Sequence, residues 1–309
     1  MAADARDIRD TRDAIVGNPV HRLWAIYALL SGLATFFPDR GRGPWAELLI
    51  IHVFLIALLW PVPPFREGWD ALGRRWPRAL RIPFDWLPLL VIPLLYTELA
   101  TLNVMVHAGE YFDHVILAVE RAIFGMPSRN LAVRFPVLPL SELLHAGYLS
   151  YYFIIFLPPL ALYFMGRRED YRRALFTLLL SFFLHYLFFI YFPVQGPRYL
   201  FPAPGGEIAR GTLYQLTHRL LEAGSSQGAA FPSSHVGVSV TQSLMMIRYL
   251  PKAAPFMLVA TALLATGAVY GGFHYATDAF AGLVLGTIAV FLAPRVFELL
   301  GGRWQTQAQ

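Results

Sequence analysis

The chain has 309 residues, 56% of them hydrophobic and 15% charged, where an ordinary soluble domain carries about 25% charge. That balance excludes a disordered chain and argues against a soluble enzyme, whose surface needs more polar cover. The absence of cysteine excludes disulfides, thiolate metal sites and cysteine nucleophiles. A net charge of +5 suggests nucleic acid only until the arginines are placed.

Residues 1–20 mix arginine with aspartate and lack the apolar core of a secretory signal, so they read as a retained cytoplasmic tail. Eight apolar runs follow: Leu23–Phe37, Trp45–Val62, Leu87–Val106, Glu142–Met165, Ala174–Phe192, His235–Leu250, Phe256–Tyr270 and Ala279–Leu292. A membrane span needs about 20 residues, so the shorter runs must extend into their flanks. The fold class expected is all-α, a polytopic transmembrane helix bundle. Residues 21–86 form an N-terminal helical hairpin and a basic loop, and residues 296–309 a second cytoplasmic tail. With the N-terminus inside, 17 of the 25 basic residues fall on the inner side and 8 on the outer, as the positive-inside rule requires. The densest inner clusters are Arg66–Arg81 and Arg167–Arg173. Arginines that mark membrane flanks form no continuous basic face, which excludes nucleic acid as a partner. Trp45, Trp60, Trp69, Trp76 and Trp86 read as interface anchors.

Two outer loops are long. In residues 107–141, Phe112, Val115, Ile116, Val119, Ile123 and Phe124 share one helical face, with Asp113, His114, Glu120 and Arg121 largely opposite. Such a helix either lies on the membrane surface or packs on the bundle. The second loop, residues 193–234, is rich in Gly, Pro and Ser.

Three stretches stand out from the apolar background: VQGPRYLF (194–201), FPSSH (231–235) and YGGFHYATDAFAG (270–282). Arginine counting alone places all three at the outer face. His274 and Asp278 are four apart, on one face of a helix that includes both. The acid can hold one imidazole nitrogen and leave the other free as a nucleophile. Pro232, Ser233 and Ser234 form a turn that starts a helix, whose free N–H groups favour an anion beside His235, a candidate proton donor. Arg198 offers a planar guanidinium for bidentate phosphate binding. Singly, each has a structural reading: a satisfied interfacial histidine, a helix cap, a headgroup contact. Two histidines, an acid and an arginine on one face are not accounted for that way. Tyr199, His145 and Tyr148 are candidates for a headgroup pocket; for most polar residues in the spans, interhelical hydrogen bonding is the alternative.

These motifs resemble those of the type-2 phosphatidic acid phosphatase superfamily: an arginine-bearing first motif, Pro-Ser-Gly-His, and a third motif ending His-x-x-x-Asp. Here they read Arg198, Pro232-Ser233-Ser234-His235 and His274-Tyr275-Ala276-Thr277-Asp278. The resemblance implies a six-helix catalytic core over residues 87–295, preceded by the extra hairpin. It implies a phosphohistidine on His274, with His235 as acid, Asp278 as orienting group, and Arg198 with the Ser233 and Ser234 amides as phosphate ligands. The sequence departs from the family pattern in four places. Tyr191 stands for the usual lysine, Tyr199 for the proline after the arginine, Ser234 for the glycine, and Gly267-Ala268 for Ser-Arg. The reduced set is similar to the branch of inositol phosphorylceramide synthases and bacterial relatives, which transfer to a lipid alcohol.

The resulting expectation is an integral-membrane lipid phosphatase or phosphotransferase, with its site on the non-cytoplasmic face of a bacterial inner membrane. The substrate is a membrane lipid phosphate, the acceptor water or a lipid alcohol. No metal or organic cofactor is implied. The rival reading is a non-catalytic lipid transporter or scaffold.

Overall fold

The computed structural model describes residues 18–59 and 78–304. Most of the N-terminal tail, Trp60, Trp69, Trp76 and the cluster's Arg66, Arg74 and Arg75 lie outside the described residues. Within them, regular structure is helical apart from one bridge, Val194 to Ala229.

Helix α1 (Pro19–Gly32) starts where the Asn18 side chain accepts the His21 N–H, with proline at its first position. It packs against α2 (Trp45–Leu59). Helices α3 (Arg78–Leu90) and α4 (Ile92–His107) are separated by Val91 alone. Helix α5 (Asp113–Val119) runs into a π turn, Glu120–Phe124, and is followed by α6 (Pro127–Arg134). Then come α7 (Leu138–Leu149), α8 (Tyr151–Phe164) and α9 (Arg168–Tyr191). Helix α10 (Thr212–Gly224) lies in the second long loop. Helices α11 (Ser234–Tyr249), α12 (Ala254–Tyr270) and α13 (Ala276–Leu299) complete the order.

Three stretches are long and apolar enough to cross a membrane: Asp85–His107, Arg168–Tyr191 and Ala276–Leu299. They contain the expected runs at 87–106 and 279–292, and all but the last residue of 174–192. A fourth span results if α7 and α8 count as one, bent by 43°. The run expected at 142–165 is therefore broken. At the break the Ser150 hydroxyl donates to the Gly147 carbonyl at 2.6 Å, a local bond of the kind that bends helices. Downstream, Pro159 has no N–H for the Ile155 carbonyl, and Gln242 Nε2 donates to that carbonyl instead, at 2.9 Å. Helices α2 and α12 are apolar but only 15 and 17 residues long.

Helix α9 is the axis of the bundle. It contacts α1, α3, α4, α8, α11 and α13, and most of its side chains are buried. Helix α11, expected as an apolar span, instead carries buried Ser239, Thr241, Gln242 and Ser243. It is surrounded by α8, α9, α12 and α13, and most of these groups find partners inside the bundle; Thr241 donates to the carbonyls of Gly237 and Gly286. Of the expected interface anchors, Trp45 is exposed, whereas Trp86 is buried against Tyr163 and Tyr171.

Candidate active site

The second and third motifs are bolted together by backbone. Ser233 caps α11, its hydroxyl accepting the Val236 N–H, while its own N–H donates to the Asp278 carbonyl at 2.9 Å. The helices cross without side chains between them. A Cβ on Gly282 would run into the Ser233 carbonyl, and one on Gly286 into the Gly237 carbonyl. Glycines four apart permit this approach inside an apolar bundle. The crossing brings the rings of His235 and His274 to 5.6 Å between centroids.

His274 is 4% exposed and Asp278 fully buried. Imidazole Nδ1 lies 3.5 Å from Asp278 Oδ2, longer than a formed hydrogen bond. Oδ2 already accepts the Tyr275 N–H at 2.8 Å. His274 Nδ1 and Asp278 Oδ1 have no hydrogen-bond partner among the described residues. A proton on Nδ1 would face the carboxylate and leave Nε2 with its lone pair. His235 Nε2 meets the Tyr148 hydroxyl at 3.2 Å, its ring lying between Tyr148 and Tyr151. The amides of Ser234 and His235, at the start of α11, have no acceptor among the described residues, as helix N-termini leave them.

Arg198 reaches the same place from a loop. Gly196 has φ of +87°, and a Cβ there would lie 2.8 Å from that of Ala230, so glycine suits both the backbone and the contact. One guanidinium nitrogen, Nη1, donates to the Leu221 carbonyl at 2.9 Å and the Ser225 hydroxyl at 2.7 Å. That leaves Nε and Nη2, a bidentate pair. The bridge from Val194 to the 228–230 segment joins this loop to the chain entering the second motif.

Two acids hold these loops. Asp113 accepts the N–H groups of Gln195 and Gly196 at 2.8 and 2.9 Å. Burial pushes its carboxyl above the usual range, against the lowering effect of those amides. Glu120 accepts the N–H groups of Ala276 and Thr277 and the Thr277 hydroxyl. The helical periodicity of the sequence puts both on the polar face of an amphipathic helix. The carboxylates and Ile116 are instead buried in the protein, and Val115 and Ile123 are exposed. Periodicity identifies the faces of a helix but not which one turns inward.

A cavity of about 40 Å³ is lined by Arg198, His235, His274, Tyr148 and Tyr199, with Tyr96 and Phe273 among the others. That exceeds the roughly 10–15 Å³ needed for one water. Among the expected residues, Asp278 sits behind His274. Neither Ser233 nor Ser234 lines the cavity; the Ser233 amide is committed to the Asp278 carbonyl, while the Ser234 amide has no acceptor among the described residues. His145 is not a lining residue either. Its Nδ1 bonds the Ser141 carbonyl and its ring packs against Phe273 and Tyr214. Among the described residues, no three His, Cys, Asp or Glu side chains gather to hold a metal ion.

Apolar spans with a histidine-lined polar pocket at one end define an integral membrane protein with an enzyme-like site. The family model of the PAP2 superfamily matches residues 114–292, more than half of the chain, and the chain belongs to that superfamily. Its members are phosphatases or phosphotransferases, and the protein is an enzyme of that general kind. No curated protein and no solved structure matches the chain.

Proposed function

We propose that the protein cleaves a lipid phosphate ester through a phosphohistidine, on the non-cytoplasmic side of the membrane. The observation that carries this reading is the convergence of Arg198, His235 and the His274–Asp278 pair on one cavity at the end of an apolar bundle. His274 Nε2 attacks phosphorus while the ester P–O bond breaks. Arg198 Nε and Nη2, with the Ser234 and His235 amides, hold the phosphoryl oxygens. His235 gives a proton to the departing oxygen, which takes the place of the Tyr148 hydroxyl at Nε2. The acceptor, water or a lipid hydroxyl, then loses its proton to His235 and attacks phosphorus, freeing His274. Helix α9 supports the sidedness. Its 24 residues span about 36 Å, with Arg168, Arg172 and Arg173 at the end away from the cavity, as cytoplasmic arginines should be.

A specific observation favours a lipid alcohol as acceptor. The family's two extra cations fall on Tyr191 and, directly after Gly267, on Ala268. A Cβ on Gly267 would strike the Leu144 carbonyl, and Ala268 is fully buried, its carbonyl accepting the Phe273 and His274 N–H groups. A cationic side chain has no room there, and Arg198 is the sole cation lining the cavity among the described residues. One arginine suits a phosphodiester, with one negative charge, better than a monoester approaching two.

The test uses purified protein in mixed micelles, supplied with phosphatidic acid or phosphatidylinositol, with and without diacylglycerol or ceramide. Products are resolved by mass spectrometry, with His274→Ala alongside. Free phosphate lost by at least about 10³-fold in the variant marks a phosphatase; a headgroup phosphate moved to the added alcohol marks a transferase. Turnover that persists in His274→Ala overturns the phosphohistidine.

A further inference from the structure

Two buried carboxylates that hold the loops of the candidate site have no part in the mechanism above. Asp113 is 7% exposed and Glu120 fully buried, and neither forms an ion pair with Lys or Arg among the described residues. An unpaired buried charge is costly unless hydrogen bonds compensate it. Here the bonds go to the two separate halves of the candidate site. Asp113 ties down Gln195 and Gly196, 82 and 83 residues away and just before Arg198. Glu120 ties down Ala276 and Thr277, 156 and 157 residues away and lying between His274 and Asp278.

We propose that Asp113 and Glu120 are positioning residues, Asp113 for the phosphate-binding Arg198 and Glu120 for the His274–Asp278 pair. This rests on the functional reading given above. The chemistry of the turn supports it. Ala276 and Thr277 open α13, where N–H groups lack partners within the helix and a carboxylate is favoured. With Glu120 on those two amides, Asp278 uses only Oδ2 on its own turn, at Tyr275, and Oδ1 stays uncommitted beside His274. A carboxylate accepts at every lone pair; an amide in its place would turn N–H against N–H. Asp113 acts likewise on the two consecutive amides of the Gly196 turn.

The two residues should therefore separate the kinetic constants. Glu120→Gln shifts the nucleophile and lowers kcat by about 100-fold, as small misplacements do, with KM within about twofold. Asp113→Asn loosens Arg198 and raises KM about tenfold, and weakens orthovanadate binding by a similar factor, with kcat within about twofold. The measurements are steady-state kinetics on the full chain in lipid nanodiscs, vanadate binding by intrinsic fluorescence, and the thermal midpoint. A lowered midpoint with unchanged constants in the folded fraction means a purely structural role and overturns the proposal, as does the same change in kcat and KM for both variants. Should either variant fail to fold, Thr277→Val removes one of the three Glu120 bonds, and Asp113→Glu keeps the charge at a different reach. The same split, smaller, is expected from them, and a flat response overturns the proposal. Vanadate binding needs no turnover. If the wild type leaves lipid phosphates intact, the functional reading fails, while binding that Asp113→Asn does not weaken overturns this one.

Discussion

The two ends of the bundle use their charged groups differently. At the arginine end, partners are mostly local and partly exposed: Arg167 with Asp170 at 2.7 Å, Arg172 with Glu169 at 2.8 Å, and Arg168 with Asp85 at 3.4 Å. Apart from the buried Nε of Arg173, these groups are matched. At the cavity end the groups are buried, yet His235 Nδ1, His274 Nδ1 and Asp278 Oδ1 have no partner among the described residues. Buried polar atoms are normally hydrogen-bonded, and a cluster of exceptions needs an explanation. Two of the three ion pairs at the arginine end close within one turn of helix. At the cavity end the unmatched atoms lie on, or directly behind, the two histidines that line the cavity.

Changing one end at a time tests this contrast. Arg198→Lys replaces a planar fork with a point charge and should lower kcat/KM by roughly 10- to 100-fold, measured on the substrate found above; a loss under twofold would detach Arg198 from phosphate binding. Tyr148→Phe removes the hydroxyl from His235 Nε2 and should cost about tenfold in kcat, with a shift in the pH limb that reports the acid. At the opposite end, Asp170→Asn leaves Arg167 and buried Arg173 without their carboxylate. It should lower stability by about 3 kcal/mol with kcat/KM within twofold. Equal damage to activity would end the contrast. The smallest effect is on pH. Burial, aided by His145 and Arg198, pushes His218 down to about 4. An unfolded chain with an ordinary histidine near 6.5 binds a proton that the folded one refuses. Stability should therefore fall as pH drops from about 6.5 towards 4, and His218→Asn should make the fall shallower by one proton in a thermal-midpoint series.

The helical class and the candidate site residues are legible in the sequence for different reasons. Long apolar runs without internal charge, as at 174–192, need only composition. His274 and Asp278 need only the helical spacing of four. What stayed hidden depends on distant partners. Asp113 and Glu120 look like a solvated face because the amides they satisfy are 82 to 157 residues away. Ser233 looks like an anion ligand because nothing local shows its N–H already bonded to Asp278. Helix α11 looks like a span once its apolar run is extended into the flanks, and its buried polar side chains are explained only by the four helices around it.

The glycine contact between α11 and α13 has one more consequence. With Ser233 against Gly282 and Gly237 against Gly286, His235 and His274 belong to a single rigid block that tolerates little revision. Arg198, Tyr199 and Tyr96 approach the cavity from other segments. Under the function proposed above, one headgroup or acceptor is exchanged for another by rewriting those segments, while the histidine block is inherited intact.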